Sequence, residues 1–283
     1  MSKTITAGMI KELRDRTGVG MGKCKEALEK ADCDMELAIN NLRKDGIASA
    51  VKKEGRTANE GMIGIAEDDK AIAIVEVNAE TDFVVKNDLF KKFLNEIAEE
   101  VVHTAPHSLE DFKAQKFSKD KSLTVEEYRA TIVQAIGENI QIKRFKIFPK
   151  TADKSIGIYS HMGGKIVTVV EITGSSSEVA LAKDIAMHTA AAAPEYLSPA
   201  EVPASVLENE KDVARGQMQG KPANMIEKIV EGKVNSYYDA ACLLRQKFIK
   251  NDQLTITELV NQAAKATGKP LKVTAFVRWT VGQ

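Results

Sequence analysis

The residues able to do chemistry are few, and their spacing withholds the familiar reactions. Every Gly-Lys pair (Gly22-Lys23, Gly164-Lys165, Gly220-Lys221, Gly232-Lys233, Gly268-Lys269) lacks the following Ser or Thr that would hold magnesium in a phosphate loop. Gly18-Val19-Gly20-Met21-Gly22 is glycine-rich, but it follows a helical pattern instead of a strand, and the third glycine of a dinucleotide fingerprint would fall on Lys23. His103 and His107 straddle Pro106, which breaks the helix that an i, i+4 metal pair requires. Cys24, Cys33 and Cys242 are odd in number and lack C-x-x-C spacing, so they read as reduced packing residues and not as a disulfide framework or a zinc site. The expectation is a chain with no metal, no cofactor and no catalytic residue of its own.

Composition narrows the partners. The 283 residues carry forty basic and forty acidic side chains, so no broad positive field is available to grip a polyanion. Aromatics at 5% argue against base-stacking platforms, and no direct nucleic-acid contact is expected. No apolar run approaches the roughly 20 residues of a bilayer span. Met1-Ser2-Lys3-Thr4 leads straight into an amphipathic pattern, with no signal-peptide core. A cytoplasmic location and no membrane partner are the corresponding expectations.

The elements that would position any site read as α+β. Met9, Ile10 and Leu13, then Met21, Cys24, Ala27, Leu28 and Ala31, then Met35, Ala38, Ile39 and Leu42 follow helical spacing, with breaks at Thr17-Gly18, Asp32 to Asp34 and Gly46. This predicts a three-helix module whose net charge through Arg56 is +3, from twelve basic and nine acidic side chains. A flexible-looking stretch, Lys52 to Gly61, places a boundary near residue 56. Beyond it, Met62 to Ala66 and Ala71 to Val77 predict a hairpin across Glu67-Asp68-Asp69-Lys70, and Phe90, Phe93, Leu94, Ile97 and Val101 predict a helix running from about Asp82 to before Pro106.

The same order recurs about 90 residues on. Ile63-Gly64-Ile65 answers to Ile156-Gly157-Ile158, Val75-Glu76-Val77 to Val170-Glu171-Ile172, and Glu96-Ile97-Ala98 before Pro106 to Asp184-Ile185-Ala186 before Pro194. Two strand-strand-helix units in a pseudo-symmetric core follow. Between them, Tyr128, Ile132 and Ile136 mark a helix, and Ile140 to Phe148 an extended segment whose alternation changes phase, the sign of a bulge. Pro203 to Lys250 reads as a helical hairpin broken at Gly220-Lys221-Pro222, Ile256 to Ala263 as a short helix, and Leu271 to Val281 as a last strand. The domain reading is 1–56, 57–149 and 150–283, with the hairpin at about 203–250. Such a hairpin can pair with a second copy as a homodimer or lie on its own core, and the sequence leaves both open.

Two stretches carry a resemblance. Leu13-Arg14-Asp15-Arg16-Thr17-Gly18-Val19-Gly20-Met21-Gly22-Lys23-Cys24-Lys25-Glu26-Ala27-Leu28 and Glu76-Val77-Asn78-Ala79-Glu80-Thr81-Asp82-Phe83-Val84-Val85-Lys86, in this order, resemble bacterial elongation factor Ts, the family of guanine-nucleotide exchange factors of elongation factor Tu. The likeness continues through Ile136-Gly137-Glu138-Asn139, Tyr159-Ser160-His161-Met162-Gly163-Gly164 and Ala186-Met187-His188. Ala79, Val85 and Gly22 depart from the usual residues. The resemblance implies a module like ubiquitin-associated domains, a core of two related subdomains and a helical-hairpin insertion.

It also implies roles. Residues alone make Thr81 or Asp82 an N-cap, and place Phe83 beside the apolar stripe of the helix that follows. The resemblance instead sets Thr81, Asp82, Phe83 and Val84 at the helix entrance that wedges beside the magnesium and phosphate site of the GTPase. His161 would by default be a solvent-exposed turn residue, Met21 a core methionine, Lys25 a solvated lysine and Ile136-Gly137 a helix end; the resemblance turns all five toward the partner. The implied function is promotion of GDP release from elongation factor Tu, allowing GTP to load. The alternative is an adaptor whose ubiquitin-associated-like module binds other proteins, without exchange activity.

Overall fold

Side-chain caps open most of the helices that matter to the site. In the first, α1 (Ala7–Thr17), the Thr6 hydroxyl accepts Met9 N–H at 3.2 Å. α2 (Met21–Lys30) starts after Gly20, and α3 (Met35–Lys53) after Asp34, whose carboxylate accepts Leu37 N–H at 2.9 Å. Gly18 ends α1 with φ 69°, the left-handed geometry glycine adopts without penalty. Leu13, Val19, Cys24, Leu28, Ile39 and Leu42 form the buried centre of this module.

α3 departs from the sequence reading. Gly46, expected to stop it, lies inside it, and the helix continues through Lys53 where a flexible stretch was expected. The reason is a close helix crossing: a Cβ at Gly46 would meet Gln134 Oε1 at 3.1 Å and the Ala130 carbonyl oxygen at 3.4 Å. One turn on, Ala50 is buried in the same apolar cluster as Phe90, Phe93 and Val133.

The computed structural model describes residues 4–216 and 223–283. Its contacts divide the chain into two compact units, Met1–Pro149 with Thr280–Gln283, and Lys150–Trp279. After α3, the first unit runs β1 (Glu60–Glu67), β2 (Ala71–Ala79), α4 (Asp82–Lys86), α5 (Asp88–Thr104), α6 (Leu109–Ala114), β3 (Lys116–Phe117), β4 (Asp120–Thr124), α7 (Val125–Ile136) and β5 (Gln141–Pro149). The expected hairpin forms, with Glu60 opposite Ala79 and Glu67 opposite Ile72, and Asp68 accepts the N–H groups of Lys70 and Ala71 across its turn. β5 pairs antiparallel with β2, and its register shifts between Ile142 and Arg144, leaving Lys143 over as the predicted bulge. The sheet order is β1-β2-β5.

One further correction bears on the site. The helix expected from Asp82 to before Pro106 is two helices, because Asn87 takes an extended ψ of 137° and uses its side chain to accept Leu89 N–H at 2.8 Å. α5 carries the predicted buried stripe, while α4 is a separate single turn free to aim elsewhere.

The second unit repeats this plan: β6 (Lys154–His161), β7 (Ile166–Thr173), α8 (Val179–Ala192), α9 (Ala204–Gly216), α10 (Ala223–Ala241), β8 (Lys247–Phe248), β9 (Asn251–Thr255), α11 (Ile256–Thr267) and β10 (Lys272–Thr280), in the sheet order β10-β7-β6. α9 and α10 pack together as the predicted hairpin, with Ala214 and Val230 buried and Arg215 Nε 3.6 Å from Glu227. The expected break at Gly220-Lys221-Pro222 lies outside the described residues. The hairpin stops at Ala241, short of Lys250, because Lys247–Phe248 is taken up as a strand. Together these units give the α+β architecture, with helices at the N-terminus and antiparallel pairing in both cores.

Candidate protein-binding site

The turn from β2 into α4 is where the sequence places its strongest candidates. Thr81 has extended backbone (φ −129°, ψ 155°) and its hydroxyl accepts Val84 N–H at 3.3 Å, the N-cap role that residue types alone predicted. Val84 is half-buried against the unit's apolar core and Val85 is fully in it, which pins one side of the turn. The opposite side projects. Phe83 is 80% exposed, although burying such a side chain is worth about 1.5–3 kcal/mol. Lys86 links the two projecting residues, with its Nζ 2.7 Å from Asp82 Oδ2 and 5.9 Å from the Phe83 ring centroid.

A second segment holds this turn from outside. Gly137 ends α7 with φ 92°, and the next residue, Glu138, takes both the Thr81 N–H (3.0 Å) and the Thr81 hydroxyl (2.7 Å). Asn139 follows, donating its N–H to Glu80 Oε1 at 2.6 Å and its buried side-chain amide to the carbonyls of Glu54 (3.3 Å) and Arg56 (2.8 Å). Arg56 also approaches Glu80 at 3.4 Å. Desolvation, followed by Lys23 and Arg56, pushes the nearby Lys53 ammonium below the usual lysine range, with Glu80 opposing. The turn from β2 into α4, the end of α7 and the exit from α3 thus meet in one hydrogen-bonded junction. Glu138 and Asn139 belong to a motif read in the sequence, but only Ile136 and Gly137 were singled out from it. The signal for Glu138 is weak, since a carboxylate after a C-cap glycine has no local partner and its contact is 57 residues away.

The remaining candidates are placed as follows. Met21 is 51% exposed at the start of α2, so it is not the core methionine that periodicity suggests. Lys25 is exposed and 3.7 Å from Glu29 one turn on. Ile136 packs partly on the core, and Gly137 is exposed. In the second unit, His161 is exposed at the end of β6, with its ring stacked 6.0 Å from Tyr159 and its Nδ1 3.3 Å from the Tyr159 hydroxyl. Met162, Gly163 and Gly164 after it all have positive φ, and Met162 is 71% exposed.

Cys24, Cys33 and Cys242 are buried and form no disulfide, and desolvation raises the pKa of Cys24 and Cys242, which keeps both as thiols. Among the described residues no three His, Cys, Asp or Glu side chains are grouped as metal ligands, and no helix is long and apolar enough to cross a membrane. What the site offers is a rigid mount for an exposed aromatic.

Comparison with known proteins identifies the mount's family. Residues 80–283 match the family model described as elongation factor TS. Over 279 residues, covering 99% of both chains, the sequence is 67% identical to elongation factor Ts of Protochlamydia amoebophila (strain UWE25). It is 47% identical over 273 residues to that of Chlamydia muridarum (strain MoPn / Nigg) and 45% over 273 to that of Chlamydia caviae, covering 96% of this chain and 97% of the relative in both cases. The chain belongs to the elongation factor Ts family. Its role is therefore in translation elongation, within protein biosynthesis. The elongation factor Ts match opens at Glu80, one residue before the N-cap of α4, and so takes in Thr81–Val84, Ile136, Gly137 and His161.

Proposed function

We propose that this chain binds elongation factor Tu carrying GDP and speeds GDP release by disturbing the magnesium and phosphate site, which lets GTP load. The supporting observation is Phe83: a bulky apolar ring held in water on a turn that is capped, ion-paired and clamped. An isolated exposed aromatic on a flexible loop would carry little meaning, but a fixed one is preorganised to enter a partner. Asp82 beside it supplies a carboxylate that competes with the phosphates for magnesium. Met21, Lys25, Ile136, Gly137 and His161 are the further contacts, and none of these residues makes or breaks a covalent bond.

The energetics are those of linked binding. A factor that weakens GDP binding by some ratio is itself displaced by GDP by the same ratio. A 10⁴-fold change requires about 5.5 kcal/mol of differential affinity. One buried aromatic hot spot and the lost metal contacts are of that order.

Stopped-flow release of a fluorescent GDP from elongation factor Tu tests the proposal: the parent chain accelerates release, and Asp82→Ala slows it with the circular-dichroism spectrum unchanged. An unaltered GDP lifetime at saturating chain would refute it. Met21→Ala and Lys25→Ala separate this reading from an adaptor role of the N-terminal module, because under the adaptor reading they abolish partner capture and no chain alters GDP release. Point variants are preferable to removing residues 1–56, since α3 is packed on α7 and its loss would expose the core around Ala50.

A further inference from the structure

Glu138 makes an unusual commitment for a half-buried surface carboxylate: both of its oxygens are given to one residue. Oε2 accepts the Thr81 N–H at 3.0 Å and Oε1 the Thr81 hydroxyl at 2.7 Å. That hydroxyl in turn accepts Val84 N–H, the capping bond of α4. The donor side of the hydroxyl therefore belongs to Glu138 and the acceptor side to the helix, which leaves the Thr81 rotamer no alternative that keeps both. Bonds to an ionised acceptor are about twice as strong as neutral ones. The neighbouring pair repeats the pattern in reverse, Glu80 accepting Asn139 N–H at 2.6 Å. Two successive residues after α7 thus grip two successive residues before α4.

The geometry points to Glu138 as the positioning residue of the wedge, a role that rests on the exchange reading above: by fixing the entry into α4 it sets the direction in which Phe83 leaves the surface. A lock of purely architectural purpose can be recognised in the same molecule. In the second unit Lys269 follows Gly268 as Glu138 follows Gly137, and its Nζ reaches Ser175 Oγ at 2.8 Å, Ser177 Oγ at 3.4 Å and Glu178 Oε1 at 3.5 Å. It holds the turn from β7 into α8, which presents Val179 and no aromatic. The equivalent position restrains a strand-to-helix turn in both units, and only in the first does the restrained turn carry Phe83.

The test uses the full chain with elongation factor Tu loaded with fluorescent GDP. Glu138→Ala lowers the limiting release rate at saturating chain about tenfold, the scale of losing hydrogen bonds to a charged group, while the half-saturating concentration moves less than about threefold. Glu138→Gln keeps an acceptor for Thr81 N–H and recovers most of the rate. Adding Glu138→Ala to Phe83→Ala slows release no further, because the carboxylate acts through the ring. Lys269→Met leaves the rate at the parent value. In the chain alone, hydrogen exchange speeds up in Glu138→Ala at the amides of Thr81 and Val84. Parent-like release by Glu138→Ala, or losses that add in the double variant, would overturn the positioning role. A parent chain that fails to release GDP defeats the exchange reading instead; amide exchange then decides alone, and unchanged protection at Thr81 overturns Glu138's hold on the turn.

Discussion

The two units of this molecule are built from one plan and differ at the places where the plan allows it. Both have a strand hairpin, a helix ending in a left-handed alanine before a proline (Ala105, φ 45°; Ala193, φ 46°), a two-residue strand turning into a short partner strand, a helix opened by a capping box and closed by a left-handed glycine, and a third strand beside the hairpin. The capping boxes are Thr124 with Glu127 and Thr255 with Glu258. The differences sit in the turns. The first unit turns from strand to helix through Thr81 and a one-turn helix bearing Phe83; the second turns through Gly174 and serines into a helix with no side-chain cap. Between the first long helix and the two-residue strand, the first unit has the six residues of α6, whereas the second has the α9–α10 hairpin. A duplicated scaffold thus leaves its turns free to diverge, and the exposed aromatic appears in one copy only.

The interiors diverge too, in a way that can be tested. Glu100 in α5 and His188 in α8 occupy matching places, and each holds the turn of the small hairpin. Glu100 Oε1 accepts Ser118 N–H (3.0 Å), the Ser118 hydroxyl (2.9 Å) and Gln115 Nε2 (3.2 Å). His188 Nδ1 lies 3.2 Å from Ile249 N–H, and its Nε2 3.0 Å from Gln246 Oε1. A buried carboxylate and a neutral imidazole perform the same task.

The largest contrast should come from the glycines under the two long helices. A Cβ at Gly157 would sit 2.1 Å from the Ala182 carbonyl carbon, which is backbone and cannot give way, whereas a Cβ at Gly64 would meet the Leu94 side chain at 2.9 Å. Gly157→Ala is expected to cost more than about 3 kcal/mol and Gly64→Ala about 1 kcal/mol by urea unfolding, because overpacking is cheaper against a side chain that can move. Equal costs would contradict the contrast drawn between a backbone and a side-chain neighbour at the two glycines. Next, Glu100→Ala strands the Ser118 N–H, while Gln115 Nε2 keeps the Thr104 hydroxyl at 3.0 Å, and should cost about 2 kcal/mol.

Acid distinguishes the units through His188. Desolvation holds its pKa below 6.5, with the Gln246 hydrogen bond opposing. The unfolded chain therefore binds the proton more readily, so this contribution is complete above pH 6.5 and falls as pH drops from 6.5 toward the folded value. A protonated Nδ1 would also face the Ile249 N–H, donor against donor. His188→Gln should remove that pH dependence from the unfolding midpoint; an unchanged slope would exclude His188 as its source. The smallest effect belongs to Lys25→Ala, whose exposed ion pair with Glu29 is worth about 0.3–0.5 kcal/mol in stability.

Much of this was legible in the residues. Two short strand-like runs across the acidic turn Glu67 to Lys70 gave the first hairpin, the phase change after Ile140 gave the bulge, and the stripe from Phe90 to Val101 gave the buried face of α5. Gly46 misled because a glycine that admits a crossing helix looks like one that ends a helix. The break at Asn87 was hidden because Val84 and Val85 continue the apolar character of the helix beyond them. Two-residue strands carry no periodicity, so β3 and β8 were invisible by pattern. A direct repeat would have found them: Lys116-Phe117 with Leu123-Thr124 and Glu127 is matched by Lys247-Phe248 with Leu254-Thr255 and Glu258. Glu138 was out of reach, since its bonds to Thr81 exist only once α7 has brought it beside β2.

The most direct measurement compares the two strand-to-helix turns in one assay of GDP release from elongation factor Tu at saturating chain. Phe83→Ala is predicted to slow release at least tenfold, about 1.4 kcal/mol or more of lost transition-state stabilisation, while Val179→Ala at the corresponding turn of the second unit leaves the rate within about twofold of the parent. Equal rates for Phe83→Ala and the parent, or equal losses at both turns, would contradict the assignment of the wedge to the first unit.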